Sequence, residues 1–330
     1  MKALFIGGTG VISSACARLA LARGIDLVLF NRGHTERAIP EGARVLHGDI
    51  RDRASAARTL EGTTFDVVVN WIGFTPDQVE ADIELFQDRT GQYVFISSAS
   101  AYQKPPSSLP ITESTPLDNP FWTYSQNKIA CEARLMQAYH EDKFPITIVR
   151  PSHTYDRTKV PLIGHYTDLH RMRTGKKVIV HGDGTSLWVL THHQDFAKGF
   201  VGLLGNHHAL GHAFHITSDE LLTWNQIYTI LAHAVGVEPQ IVHVPSDVIA
   251  ALDPEVGAGL LGDKAHSVIF DNTKIKRTVP GFVASIPFSR GAEEIAAWFD
   301  ADPARQVVDR EVDDLMDRLV AWASDHRPGG

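Results

Sequence analysis

Tyr124 and Lys128 stand four residues apart in Tyr124-Ser125-Gln126-Asn127-Lys128. On a helix that spacing puts both side chains on one face, one turn apart. A free tyrosine titrates near pH ~10. A neighbouring ammonium would favour the phenolate. Tyr124 is therefore expected to exchange a proton with a substrate hydroxyl at neutral pH. The pair alone is common in proteins, and its setting gives it weight. Upstream, Ser97-Ser98-Ala99-Ser100 leaves the end of the apolar run Tyr93–Ile96, where a hydroxyl can polarise the same substrate oxygen. Ser97, Ser98 and Ser100 each offer such a hydroxyl, and Ser98 and Ser100 are also candidates to touch the substrate.

A second constellation lies at the N-terminus. Gly7-Gly8-Thr9-Gly10-Val11-Ile12-Ser13 follows one apolar run and opens a helical pattern. Gly7 permits the tight turn, and Gly10 lets the backbone approach a pyrophosphate seated on the free N–H groups of a helix N-terminus. Ser13 stands where the third glycine of such fingerprints is usual, and it is small enough for close helix–strand packing. Thr9, Val11 and Ile12 complete the candidate cradle. The next apolar run ends at Phe30-Asn31-Arg32. Asn31 can hold a ribose hydroxyl, whereas Arg32 can pair with a 2′-phosphate. NAD is the expected cofactor, and Arg32 leaves NADP open. Asp49-Ile50 would touch adenine, and Trp71-Ile72-Gly73 would lie along the dinucleotide.

These residues need a scaffold that brings them to one edge. The runs Ala3–Ile6, Leu27–Phe30, Arg44–Leu46, Val67–Asn70, Tyr93–Ile96 and Thr147–Val149 are apolar throughout rather than alternating, as strands buried on both faces of a parallel sheet are. Helical patterns at Ser13–Arg23, Arg53–Leu60, Pro76–Asp88 and Tyr124–Tyr139 lie between them. That alternation predicts an α/β fold with a doubly wound parallel sheet. After Arg150-Pro151 the rhythm changes. Thr223-Trp224-Asn225-Gln226 reads as a capping box for a helix over Trp224–Val235. A last helix is expected from about Glu311 to Ala323, and Arg327–Gly330 reads as a loose tail.

The chain has 330 residues and a formal net charge of −8, with Lys and Arg scattered. No basic stripe tracks a nucleic-acid backbone, so a small-molecule partner is expected and nucleic acid is not. No stretch approaches the ~18 apolar residues of a membrane span, and the N-terminal run is too short for a signal peptide. The two cysteines, Cys16 and Cys131, fall in apolar helical patterns as buried thiols, which suits a cytoplasmic protein. The histidines number 17 but show no ligand spacing, so no metal is expected. His192, just before Asp195-Phe196-Ala197, is placed near the substrate.

With these motifs in order, the chain resembles the extended short-chain dehydrogenases/reductases, the NAD-dependent epimerase/dehydratase family. The resembling stretches are Gly7–Ser13, Asp49-Ile50, Tyr93–Tyr102, Tyr124/Lys128, Arg150–Asp156, Gly182–Ala197, His215–Val235 and Phe270–Lys274. The resemblance implies a Rossmann domain over 1–150, with segments near 189–220 returning to it, and a mainly substrate-binding domain over 151–330. It assigns Ser98, Tyr124 and Lys128 to the catalytic triad, places Pro151 beside the cofactor, and implies a possible homodimer through the Tyr/Lys helix.

Three departures shape the functional reading. Ala99 and Ser100 occupy the positions where 4,6-dehydratases of the family carry Asp-Glu, so dehydration lacks its acid and base. Trp188 stands where an arginine after the Gly182-Asp183-Gly184 turn usually grips a substrate diphosphate, and an indole cannot make that bidentate contact. A stacking platform for an uncharged substrate is expected instead, with Arg171, Arg173, Lys176 and Lys177 as nearby basic residues that could substitute for the arginine. His153 replaces a substrate-binding asparagine. The short Val69–Ile96 segment is also similar to a divergent branch that includes chloroplast stem-loop RNA-binding proteins. The leading expectation is an epimerase of a sugar or sugar derivative acting through a transient ketone. Net dehydrogenation or reduction of a carbonyl or polyol is the alternative, and a non-catalytic nucleotide- or RNA-binding module is a minor one.

Overall fold

The computed structural model describes residues 1–33 and 37–326; the expected tail Arg327–Gly330 lies outside the described residues. The strands are β1 (Lys2–Ile6), β2 (Asp26–Asn31), β3 (Arg44–His47), β4 (Val67–Asn70), β5 (Tyr93–Ile96), β6 (Ile146–Pro151), β7 (His153–Tyr155), β8 (Val178–His181), β9 (Leu187–Trp188), β10 (Leu190–His192), β11 (His212–Ile216), β12 (Leu222–Thr223) and β13 (Ile241–Val244). Seven of them form one parallel sheet in the order β11-β6-β5-β4-β1-β2-β3. The order reverses between β1 and β4, which is where ligands of such sheets bind, beyond the carboxyl ends of the strands.

The apolar runs become central strands because both of their faces are covered. On one face, the helices α1 (Val11–Ala22) and, later in the chain, His193–Leu203 pack on Phe5, Leu29, Val69 and Phe214. On the other, α2 (Arg53–Thr59), α3 (Pro76–Phe86) and α4 (Thr123–Asp142) cover Leu4, Val28, Val68 and Phe95. Each such side chain fully buried contributes roughly 1.5–3 kcal/mol. Cys16 and Cys131 are buried free thiols within these two layers.

The helix His193–Leu203 and β11 return to the sheet after the chain has left it. The remaining chain builds a second body from short strand pairs, β10–β7, β12–β9 and β13–β8. Its core gathers Tyr155, Trp188, Trp224, Tyr228 and Phe288. The Thr223 capping box is present: the Thr223 hydroxyl accepts from the Gln226 amide at 3.2 Å, and the Gln226 side chain accepts from the Thr223 amide at 2.8 Å. The helix it opens, Trp224–Ala234, packs against Phe288–Asp300, a helix that the sequence reading did not anticipate. The last helix spans Arg310–Asp325. No helix among the described residues is long and apolar enough to cross a membrane.

Candidate functional site

The glycine turn sits at the carboxyl end of β1. Gly7 and Gly8 have φ of +93° and +103°, a region that L side chains rarely adopt. A Cβ on Gly8 would stand 2.8 Å from Leu29, so the strand behind the turn fills that space. Gly10 precedes α1 with no side chain to cap it, and the Ser13 hydroxyl accepts from the Gly10 amide at 2.7 Å. The opening amides of α1 therefore lack a side-chain acceptor. Thr9, Val11 and Ile12 are half-buried around the turn. Among the described residues, two buried donors on the same edge have no partner, the Asn31 side-chain amide and the Trp71 indole N–H. Uncapped helix amides and unpaired donors beside strand ends fit a dinucleotide. Asn31 and the Gly7–Ile12 turn would hold its ribose and pyrophosphate.

Asp49, just beyond β3, lies 4.0 Å from the exposed Arg32, just beyond β2. The sequence reading gave these two residues separate tasks, whereas the structure sets them facing each other. Ile50 lines a separate small cavity of about 160 Å³ with Asn70, Ile72 and Asp82. Under it Asp82 is buried and accepts from the Asn70 side-chain amide and from the Tyr93 hydroxyl, while Asn70 Oδ1 accepts from the Ile72 backbone amide at 2.8 Å. This network fixes the Trp71-Ile72-Gly73 turn.

Tyr124 and Lys128 lie on the first turns of α4 and line a cavity of about 370 Å³ with Ser98, Ser100, Pro151, His153 and Trp188. Lys128 is 2% exposed, and its ammonium donates to the carbonyls of Gly73 at 2.6 Å and Ile96 at 2.7 Å. It also lies 5.7 Å from the Tyr124 ring centre. Burial pushes the Lys128 pKa down to about 8. Burial also raises that of Tyr124, and the hydrogen bond with Ser98 opposes the rise. This corrects the expected direction: without a cofactor, Lys128 does not bring the phenol below its ordinary value, because desolvation wins. Ser98 is linked onward, its hydroxyl 2.9 Å from that of Ser100, which accepts from the Ser125 hydroxyl at 2.7 Å.

Two expectations fail. His192 does not reach the cavity. Its side chain is fully buried, it caps the helix after β10, and its Nε2 meets Glu294 at 3.1 Å. Trp188 lines the cavity but is only 2% exposed, its ring tilted 34° against that of Trp224 with centroids 5.2 Å apart, and its indole N–H donates to His153 Nδ1 at 3.0 Å. It has neither an open face nor a spare donor for a substrate. The proposed substitutes are elsewhere as well: Arg171 is tied to Asp313 and Asp317, Arg173 to Asp300, and Lys176 to Asp313.

Sequence reasoning missed three charged residues in the cavity wall, Lys159, Asp263 and Lys264. Asp263 is held by the buried Lys104 at 3.1 Å and tends to raise the Tyr124 pKa. It and Lys264 belong to a π-helical turn, Leu260–Lys264, of the kind often found at functional sites. No motif announces these residues; the turn itself was the signal, and it is visible only in three dimensions.

Several curated relatives are similar to this chain. 2′-Dehydrokanamycin reductase of Streptomyces kanamyceticus is 25% identical over 90% of this chain and 84% of its own length. Chloroplast stem-loop binding protein of 41 kDa b of Arabidopsis thaliana is 28% identical over 73% of this chain and 65% of its own. UDP-glucose 4-epimerase of Lactobacillus helveticus is 27% identical over 56% and 62%. Residues 3–217, which carry the glycine turn, the serine strand end and the Tyr124/Lys128 helix, match the family model described as NAD dependent epimerase/dehydratase, and the chain belongs to that family.

Proposed function

We propose that the chain is an NAD-dependent epimerase that inverts a carbinol centre of a sugar or sugar derivative through a transient ketone. The observation that carries this reading is the Ser98–Tyr124–Lys128 grouping on the wall of the 370 Å³ cavity. The similarity to a UDP-glucose 4-epimerase supports the sugar class.

Bound NAD would supply the hydride acceptor and donor. Tyr124 takes the proton of the substrate hydroxyl and later returns it. Ser98 donates to the developing ketone oxygen and is itself oriented by Ser100 and Ser125. Lys128 is fixed by the Gly73 and Ile96 carbonyls, and its positive charge beside Tyr124 favours the phenolate as it forms. Epimerisation needs no further acid or base, in keeping with Ala99 and Ser100 at the dehydratase positions. Among the described residues, Asp263 is the one carboxylate in the wall, and it is engaged by Lys104.

A second reading, net reduction of a sugar-like ketone, is favoured by the similarity over 90% of the chain to 2′-dehydrokanamycin reductase. Cofactor stoichiometry separates the two. Epimerisation proceeds with NAD far below the substrate concentration and leaves absorbance near the reduced-nicotinamide band constant. A steady absorbance change in step with product overturns it in favour of the reductase.

A further inference from the structure

The two carbonyls that hold Lys128 are anchored in different ways. Ile96 O, at 2.7 Å, belongs to β5, which the sheet grips between β4 and β6. Gly73 O, at 2.6 Å, belongs to the turn after β4. The amides on either side of Gly73 are held by side chains. That of Ile72 donates to Asn70 Oδ1 at 2.8 Å, and that of Phe74 donates to Gln78 Oε1 at 2.8 Å. A Cβ on Gly73 would stand 3.2 Å from Asn70 Nδ2, so the turn rests directly on Asn70. The same turn sets the Phe74 ring 4.7 Å from the Lys128 ammonium.

Asn70 and Asp82 are each 2% exposed. Asn70 Nδ2 donates to Asp82 Oδ2, and the Tyr93 hydroxyl donates to the same oxygen. An ionised carboxylate only accepts. It therefore takes the NH2 end of the Asn70 amide and leaves the oxygen end for the Ile72 N–H. A protonated Asp82 can donate, and it then suits the opposite orientation of the amide, which has no acceptor for Ile72. Burial raises the Asp82 pKa to about 6, against the hydrogen bonds from Tyr93 and Asn70 and the charge of Arg53. The groups around it keep their charge in that range. Burial pushes the Tyr93 phenol on β5 well up and the Cys131 thiol on α4 to about 11. Arg53 on α2 is a cation 3.5 Å from Glu84, and Asp77 on α3 is held below the ordinary carboxylate range, first by Thr75.

We propose that Asp82 is a positioning residue for Lys128: its carboxylate orients the Asn70 amide, Asn70 holds the Ile72–Gly73 turn, and the Gly73 carbonyl fixes the Lys128 ammonium beside Tyr124. Asp82 acts from behind the 370 Å³ cavity, on the wall of the separate 160 Å³ one. When Asp82 takes up a proton, the amide is free to turn over, the turn loosens, and the ammonium keeps only the Ile96 carbonyl. The proposal rests on the reading of Lys128 as part of the reacting group, and it gives that group an acid limit set from outside the cavity.

The test is NMR of the full chain, without added cofactor, isotopically labelled at the lysine side-chain nitrogens. The Lys128 signal is assigned by its loss in Lys128→Met. In the wild type that signal is expected to shift with a midpoint near the Asp82 value of about 6. Asp82→Asn has no carboxylate to titrate and loses the shift. Asn70→Leu cuts the link but leaves Asp82 able to titrate, and it loses the shift as well. A wild-type signal that stays put from about pH 5 to about pH 7 overturns the proposal, whether or not either variant folds. A shift that survives in Asn70→Leu, folded by circular dichroism, also overturns it, because Asp82 would then act on Lys128 through space. So does one that survives in Asp82→Asn. The signal is read without turnover, so failure of the epimerase reading leaves this result standing.

Discussion

Glu132 takes both arms of the Arg150 guanidinium, with Nε 2.9 Å from Oε1 and Nη2 2.6 Å from Oε2, and both residues are buried. Glu132 stands four residues beyond Lys128 on α4, and Arg150 lies beside Pro151 at the end of β6. The pair therefore pins the helix that carries Tyr124 and Lys128 to the strand that forms the opposite wall of the cavity. Removing one partner leaves a buried charge uncompensated, at a cost of about 3–5 kcal/mol. Arg150→Met and Glu132→Leu should each lower the denaturant midpoint strongly, and the double variant should recover part of that loss. Strictly additive losses in urea unfolding would show that the ion pair is not the coupling between them.

Lys128 sets a pH signature. Its folded-state pKa is depressed to about 8 by burial, while the unfolded value is near ~10.4. Between those values the unfolded chain binds more protons, so stability rises with pH across that window. Lys128→Met has no such group. Wild-type stability relative to Lys128→Met should therefore increase by about 2 kcal/mol from pH 7 to pH 10. Parallel chemical denaturation of the two proteins measures this, and a pH-independent difference contradicts it.

Gly8 links the glycine turn to β2. Gly8→Ala adds a Cβ at φ +103° and 2.8 Å from Leu29, so the turn must move. Strain of this kind costs on the order of 1–3 kcal/mol. NAD binding, followed by calorimetry or fluorescence, should weaken by about tenfold or more. Unchanged NAD affinity would place the cofactor away from this turn.

The sheet was legible because β1, β2, β4, β5 and β6 are buried on both faces, which leaves an unbroken apolar run in the sequence. The strand bounds moved by only a residue or two, as with Thr147–Val149, which extends to Ile146–Pro151. β11 was legible only within the segments near 189–220 that the resemblance returns to the sheet, because its run carries His212 and His215, and His215 is buried with its ring nitrogens on Tyr102 and the Asp271 carbonyl. The second body was largely illegible. Its strands β9 and β12 are two residues long and pair across the chain, Leu222 with Trp188. The Tyr124/Lys128 pair was legible because its geometry is local to one helix turn. The role of Trp188 was not, because its partner His153 lies 35 residues away. Lys159 and Lys264 carry no pattern at all; only the folded chain brings them to one cavity.

Proton exchange at Tyr124 is the centre of this account, and one comparison tests it most directly. Wild-type protein and Tyr124→Phe would be incubated with catalytic NAD and a panel of sugars that includes UDP-glucose and glucose 1-phosphate, with stereochemistry followed by NMR and NAD affinity measured in parallel. The ring still packs in Tyr124→Phe and only the hydroxyl is lost. The account predicts inversion of a carbinol centre by the wild type, a loss of at least about a hundredfold in the variant, within the range contributed by a positioned acid–base group, and nearly unchanged NAD affinity. Comparable inversion by Tyr124→Phe would contradict it.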